Sequence, residues 1–113
     1  MSKISIMPAE GTWVVRAGGA VLGESNRALE LREDGYPPVI YFPRDDIAVA
    51  FLEPSEKSSS CPHKGTAGYF SIVTPATTLD DAVWTYETPK EDVAAIAGHL
   101  AFYASDTVTI EQL

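Results

Sequence analysis

The chain has 113 residues, enough for one domain with a single hydrophobic core. Its net charge of −8, from 16 acidic and 8 basic side chains, disfavours nonspecific binding to nucleic acid or to an anionic membrane surface. One cysteine cannot form an internal disulfide, and no apolar run approaches the ~20 residues that cross a bilayer, so we expect a cytoplasmic protein.

The first half of the chain predicts short β-strands, because apolar and polar residues alternate between glycine and proline turns. In the segment WVVRAGGAVLG, the pair Gly18-Gly19 predicts a two-residue hairpin turn, since both positions tolerate positive φ. In ALELRE, Leu29 and Leu31 fall on one face of a half-buried strand. The predicted strands here span 3–7, 13–16, 20–23, 28–33 and 39–42.

In the middle of the chain, apolar and polar residues alternate less regularly. Pro43 predicts a helical turn over 44–47, with Asp45 near its positive end, followed by extended chain. The polar run EPSEKSSS (53–60) predicts a surface loop. Two further strands are predicted, at GYFSIV (68–73) and AVWTY (82–86).

One helix is predicted around residues 89–98, in the segment TPKEDVAAIAGHL. Thr88 and Glu91 have the spacing of a capping box, and Pro89 and Gly98 suit the first helical position and the stop. The whole chain, 1–113, therefore predicts a single compact, mostly antiparallel β domain, of α+β class because of this helix. The last predicted strands are LAFYA (100–104) and TVTIEQL (107–113).

The motif CPHKG places the only cysteine next to a histidine and a lysine. A thiolate is the reactive form of cysteine, and a nearby cation stabilises it. In an extended segment Cys61 and His63 share one face while Lys64 points away, whereas in a turn all three converge. The sequence leaves both arrangements open, and it equally allows Cys61 to pack as a small hydrophobic residue.

Two scarce cations, Arg44 in PRDD and Lys64 in CPHKG, are candidates for binding an anionic group. Asp46 is placed to orient Arg44 or to cap its turn. The aspartate pairs 45–46 and 80–81 suit a divalent cation or ordinary turn capping, and C-x-H supplies two of the four ligands of a structural zinc site. We therefore predict no metal site. The sequence contains no complete P-loop, dinucleotide fingerprint, G-x-S-x-G elbow or H-E-x-x-H motif.

Aromatic residues concentrate on the predicted strands, including Tyr69 in GYFSIV and both Trp84 and Tyr86 in AVWTY. Trp84 and Tyr86 point to the same side of their strand. Such residues either pack in the core or form the apolar wall of a ligand pocket.

Four motifs follow one another along the chain: YFPRDD, CPHKG, WTY and GHLAF. In this order, over about 13–110, they resemble the DUF427 family, small and mainly bacterial proteins of unassigned function that are also labelled a nucleotidyltransferase-type domain. The resemblance implies a small β-rich fold, with the β-tent arrangement of two sheets meeting at an angle as a candidate. The resemblance does not imply the zinc site of β-tent proteins, because this chain lacks the paired C-x-x-C motifs that form it. The polar or reactive family positions fall on Arg44, Asp46, Cys61 and Lys64.

The leading functional hypothesis is a small-ligand site, with or without catalysis, built from the CPHKG loop, the PRDD turn and the WTY strand. Arg44, oriented by Asp46, and Lys64 would bind an anionic ligand such as phosphate or carboxylate. Cys61 and Lys64 would carry any catalysis, and the aromatic residues named above would form the wall. No cofactor is expected under this hypothesis.

Two alternatives stay open. A nucleotidyltransferase would require a divalent metal and a nucleotide, held through Asp46 or Asp81. A structural or interaction module would use Arg44 and Asp46 as an ion pair and would show no cleft at CPHKG. A homodimer is compatible with all three hypotheses.

Overall fold

The computed structural model describes residues 3–113 and confirms the predicted mainly β fold. Within this part of the chain, ten strands form three antiparallel sheets, joined by turns and three short 3-10 helices. No helix of residues 3–113 has the length and apolar character needed to cross a membrane. The strands are β1 (Ile4–Pro8), β2 (Trp13–Ala17), β3 (Ala20–Ser25), β4 (Leu29–Glu33), β5 (Val39–Tyr41), β6 (Leu52–Cys61), β7 (Gly65–Val73), β8 (Thr78–Thr85), β9 (Ala101–Phe102) and β10 (Val108–Gln112).

The first two sheets have three strands each, in the orders β1-β4-β5 and β10-β2-β3. The β2–β3 hairpin is confirmed, and its turn residues Gly18 and Gly19 have φ of +55° and +86°. Glycine adopts this left-handed region at least cost, which is why the Gly-Gly pair marks the turn. Together with the third sheet, residues 3–113 form three sheets, whereas the β-tent arrangement has two.

The third sheet has the order β6-β7-β8-β9 and contains the longest strands. Because β6 covers Leu52–Cys61, the prediction of a surface loop over 53–60 is wrong. β6 is an edge strand that is exposed along most of its length. Serine and charged side chains suit an edge that faces water, so the polar composition is explained by the strand's position and not by a loop.

The predicted helix is present only as a 3-10 helix over Glu91–Ile96. The capping box is not formed, since Lys90 precedes the helix and no side chain caps it. Val93, with φ −122° and ψ 24°, departs from helical geometry, and both Val93 and Ile96 are buried against aromatic residues. In so short a segment, tertiary packing decides the conformation over local helix propensity.

The PRDD segment forms the predicted turn as a 3-10 helix over Arg44–Asp46. The extended chain expected after it is wrong for Val49–Phe51, which forms another 3-10 helix. Between the two, Ile47 is buried and bridges Gly23 of β3. A Cβ at Gly23 would lie 2.5 Å from the backbone oxygen of Asp46, so this close approach requires glycine.

Buried apolar side chains form two clusters. The first surrounds Phe42 and Phe102, whose rings meet edge to face at 5.7 Å, and includes side chains from β2, β3 and β10. The second lies between sheet β1-β4-β5 and sheet β6-β7-β8-β9, and it is centred on tyrosines. Cys61 and Trp84 pack against the second cluster, which places the chemically distinctive residues beside it.

Candidate functional site

A cavity of about 470 Å³ lies beside the second cluster, between sheet β1-β4-β5 and the β6–β7–β8 part of the third sheet. Small-molecule sites span roughly 300–1,000 Å³, so the volume suits a small ligand. The five tyrosines of the chain all line this cavity, together with Trp84 and the only cysteine, Cys61. These tyrosines are Tyr36, Tyr41, Tyr69, Tyr86 and Tyr103.

The CPHKG motif lies at the tip of the β6–β7 hairpin. The backbone N–H of Lys64 donates to the carbonyl oxygen of Cys61 at 3.2 Å, which closes a turn. This turn brings Cys61, His63 and Lys64 to the same cavity, so the chain adopts the converging arrangement of the two alternatives. Cys61 is partly exposed there. A purely structural module would show no cleft at this motif, whereas a cavity is present.

Lys90, which directly precedes the 3-10 helix after β8, holds the hairpin tip in place. The backbone N–H of Lys90 donates to the carbonyl oxygen of Lys64 at 2.9 Å. The side-chain Nζ of Lys90 donates to the carbonyl oxygen of Pro62 at 2.5 Å. Gly65, with φ +112°, occupies a conformation that strains other residues. The proline, the glycine and Lys90 therefore fix the position of the motif relative to the cavity.

A lysine–glutamate pair provides the charged groups of the cavity. Nζ of Lys64 donates to Oε1 of Glu33 at 3.1 Å, and the two side chains are only 13% and 10% exposed. Burial alone lowers the pKa of Lys64, but the hydrogen bond to Glu33 and nearby negative charge outweigh burial and raise it above its ordinary value. Lys64 therefore stays charged at neutral pH, and Glu33 neutralises it.

Three phenol groups of the cavity, those of Tyr41, Tyr86 and Tyr103, stay protonated at neutral pH. Burial raises the pKa of Tyr41 and of Tyr86 above the ordinary value of 10.0. Burial, with the neighbouring Tyr69 hydroxyl, raises the pKa of Tyr103 to about 12. These side chains therefore present neutral hydroxyl groups, which can donate and accept hydrogen bonds.

Contacts among the aromatic residues fix the wall of the cavity. The Trp84 indole N–H donates to the Tyr41 hydroxyl at 3.2 Å, and the two rings meet edge to face with centroids 6.3 Å apart. The Trp84 ring also packs against that of Tyr103, with centroids 4.5 Å apart and planes tilted by 42°. The Tyr69 hydroxyl is hydrogen-bonded to Oγ of Ser59 at 2.9 Å. The wall is therefore preformed by the fold itself.

The structure brings together five of the seven residues predicted from the sequence, and it places Arg44 and Asp46 outside the cavity. Cys61, Lys64, Tyr69, Trp84 and Tyr86 line it. The three-part site that joined CPHKG, PRDD and WTY is therefore not formed. The cavity joins CPHKG and WTY with the β4–β5 side of the fold instead.

Arg44 stabilises a junction between chain segments. Its Nε donates to the carbonyl oxygen of Gly98 at 3.1 Å, and its guanidinium pairs with Glu87 and lies 5.6 Å from the centre of the Phe70 ring. The expected pairing of Arg44 with Asp46, either to orient the arginine or as a structural ion pair, is not formed.

Asp46 connects the PRDD turn to β3 and the residues after it. Its carboxylate accepts hydrogen bonds from Oγ of Ser25 at 2.7 Å and from the Arg27 guanidinium at 3.1 Å. The hydrogen bond from Ser25, and then Arg27, lower the pKa of Asp46 below its ordinary value of 3.8 against a smaller opposing effect of burial. The arrangement explains the aspartate as a tether of the turn.

The lowered pKa of Asp46 predicts a specific acid response. A carboxyl whose pKa is lower in the folded state contributes stability above pH 3.8, and the contribution is lost as the pH falls through the folded value. Asp46→Asn should reduce the free energy of unfolding by about 1 kcal/mol at neutral pH and by less at pH 2. Urea titrations at pH 7, 4 and 2 measure this, with exposed Asp45→Asn as the control. A cost of Asp46→Asn that does not change with pH would contradict the assignment.

The other aspartates do not assemble a metal site. Asp81 accepts a hydrogen bond from Ser55, in a different part of the molecule from Asp46. Among residues 3–113, no three His, Cys, Asp or Glu side chains are arranged as metal ligands would be.

Sequence reasoning missed Glu33, Tyr36 and Tyr103 as lining residues. Glu33 had a usable signal, because Leu29, Leu31 and Glu33 share one face of β4 and a charge therefore continues an inward-facing row. Tyr36 and Tyr103 lie outside the strands, and no local pattern places them in the cavity. What the sequence does offer is the chemical identity of the residues, since every tyrosine belongs to this one site.

Comparison with known proteins agrees with the motif order. The family model described as a domain of unknown function (DUF427) matches residues 5–112. The match covers nearly all of the chain and includes both the hairpin tip and every strand that lines the cavity. Comparison with curated proteins gave no match. The chain therefore belongs to the DUF427 family, and the resemblance of its four motifs is confirmed.

Proposed function

We propose that this protein binds a small, largely planar organic molecule in the cavity between sheet β1-β4-β5 and the third sheet. The observation that carries the proposal is the convergence of all five tyrosines, Trp84 and the Glu33–Lys64 pair on one cavity. Burying phenols and an ion pair costs free energy that a purely apolar core does not incur. A site that binds a ligand explains why these groups are gathered here.

The aromatic wall determines the shape of the ligand. Aromatic side chains bind flat rings by offset stacking or edge-to-face contact, which contribute about 0.5–1.5 kcal/mol per pair beyond burial. Trp84 and Tyr103 both line the cavity, and their rings pack against each other with centroids 4.5 Å apart and planes tilted by 42°. A planar molecule is therefore favoured over a branched or flexible one, because little side-chain freedom is lost on binding.

The anionic ligand expected from the sequence is the less favoured class. Glu33 neutralises Lys64 within the cavity, and Arg44 pairs with Glu87 outside it. The net charge of −8 also repels anions at long range. Cys61 lines the cavity and gives a chemical probe of its occupancy.

The first test uses the two tryptophans as internal reporters. Trp84 lines the cavity and Trp13 does not, although both tryptophans line a second pocket on another side of Trp84. A compound in the cavity should therefore move the Trp84 signal alone, and a compound in the second pocket should move both signals. In a nitrogen–proton correlation spectrum, planar aromatic compounds added one by one should shift the Trp84 indole signal and leave that of Trp13 in place. Tyr36→Ala, at an exposed lining position, should weaken binding severalfold, while Val21→Ala, exposed on β3, should not. Compounds that shift neither signal, only that of Trp13, or both signals together would contradict the proposal, because joint shifts indicate binding in the second pocket.

Alkylation of the single cysteine gives an independent prediction. Because Cys61 is partly exposed in the cavity, iodoacetamide should modify it in the folded protein, and the added group should occupy ligand space. A compound that shifts Trp84 should slow this reaction, as followed by intact mass, and should bind the alkylated protein more weakly. Cys61→Ser provides the control, since it should bind the compound normally and resist alkylation. Full alkylation without any change in binding would count against Cys61 as a lining residue.

A further inference from the structure

We infer that the ligand of this cavity is uncharged and carries a cyclic amide edge, in which a ring C=O lies next to a ring N–H. The C=O accepts a hydrogen bond from Lys64, and the N–H donates one to Glu33. This inference rests on the proposed function and names the chemical class of its ligand.

The first step is the unused hydrogen-bonding capacity of the pair. Within residues 3–113, the Lys64 ammonium donates one side-chain hydrogen bond and the Glu33 carboxylate accepts one, and these are the same bond. An ammonium has three donors, and a carboxylate has about four acceptor positions. No buried side-chain nitrogen or oxygen of the described residues lacks a partner. The second oxygen of the Glu33 carboxylate is therefore not fully buried, and both residues line the cavity, where a ligand can use their remaining capacity.

The second step is charge. The two charged atoms lie 3.1 Å apart, so an ion that approaches one of them is close to the other as well. At about 4 Å and an effective dielectric constant of about 20, attraction and repulsion are each roughly 4 kcal/mol, and they largely cancel. A charged ligand still loses its hydration on entering the cavity. The pair therefore favours a neutral ligand over an anion or a cation.

The third step is geometry. A neutral group that uses both partners needs an acceptor and a donor close together. A hydroxyl or a primary amide also offers both, but neither carries them within a flat ring. In an open-chain secondary amide with the usual trans bond, the C=O and N–H point in opposite directions. A ring holds them on the same edge, and it is also flat, as the wall of Trp84 and Tyr103 favours.

The test compares three probes of similar size by calorimetry. Uracil carries the proposed edge, 1,3-dimethyluracil keeps the ring and carbonyls but has no N–H, and benzoate is a planar anion. Uracil should bind at least about tenfold more tightly than 1,3-dimethyluracil, because the hydrogen bond to a carboxylate is lost in the methylated ring. Benzoate should bind no more tightly than 1,3-dimethyluracil.

Substitution of Glu33 should exchange these preferences. Glu33→Gln should weaken uracil binding about tenfold and should strengthen benzoate binding, because Lys64 is then released to pair with the anion. Glu111→Gln is the matched control, since it removes a carboxylate from the exposed pair with Arg16 and should change neither affinity. A gain in benzoate affinity cannot arise from a misfolded variant.

The outcomes separate this inference from the proposed function. If benzoate or 1,3-dimethyluracil binds the unaltered protein as tightly as uracil, or if uracil alone fails while other planar compounds shift the Trp84 signal, the cyclic amide class is wrong and the cavity still binds ligands. If no planar compound shifts that signal, the proposed function itself is overturned.

Discussion

Lys64→Met is expected to lower the free energy of unfolding by about 3 kcal/mol, because it leaves the Glu33 carboxylate in the cavity without its donor. Glu33 is only 10% exposed, and its side-chain hydrogen bond within residues 3–113 comes from Lys64. Removing one partner of a buried pair costs about 3–5 kcal/mol, and access of water from the cavity places this pair at the lower end. Urea unfolding at neutral pH measures the loss.

The double variant Lys64→Met with Glu33→Leu should recover most of that loss, since two apolar groups need no partners. Lys3→Met, at an exposed position, is the matched control and should cost less than about 0.5 kcal/mol. If Lys64→Met costs no more than the control, the pair does not stabilise this part of the fold, and the description of the cavity is wrong.

Raising the pH above 10 is expected to destabilise the protein steeply. The pKa of Tyr41, Tyr86 and Tyr103 is raised by burial, so above 10.0 the unfolded chain releases protons that the folded chain still holds. Stability therefore falls as the pH rises from the unfolded value to the folded one, by up to about 1.4 kcal/mol per pH unit for each of the buried Tyr41 and Tyr86 phenols and by less for Tyr103, which is 47% exposed. Lys64 acts in the same direction, because its raised pKa adds stability that is fully present below 10.5 and is lost as the pH rises through the folded value.

Tyrosinate absorbance near 295 nm follows this transition directly. Because every tyrosine of the chain lines the cavity, the titration reports on this site alone. We expect ionisation of the buried phenols to coincide with unfolding, and Tyr86→Phe to reduce the slope of stability against pH. Reversible ionisation of Tyr41 and Tyr86 near pH 10 in a protein that stays folded would contradict their burial in the cavity wall.

Some elements of the fold could be predicted because the residue pattern there fits only one local structure. The turn at Gly18-Gly19 and the inward row of Leu29 and Leu31 are confirmed, because local geometry and burial point to the same structure there. The polar β6 strand was missed, since an edge strand needs only one partner and tolerates a polar sequence. The helix predicted over 89–98 is shorter and of 3-10 type, because the burial of Val93 and Ile96 decides the conformation and the predicted caps do not form.

The site was predictable to the extent that it lies within continuous motifs. Cys61 and Lys64 sit in one turn and Trp84 and Tyr86 at one strand end, so local reasoning found them. Glu33 lies thirty-one positions from Lys64, on a strand of another sheet. Its inward-facing position could be predicted from β4, but its pairing with Lys64 could not be predicted from a single sequence. The same limit explains why Arg44 was placed in the predicted site, since its hydrogen-bond and ion-pair partners all come from beyond residue 84.

The measurement that tests the binding proposal most directly is a crystal structure of the protein soaked with a mixture of small planar compounds. We expect electron density for a flat molecule against Trp84, with a polar edge within hydrogen-bond distance of Lys64 and Glu33. Compounds that bind only elsewhere on the protein, while the cavity holds ordered water or is closed by its own tyrosines, would contradict the proposal.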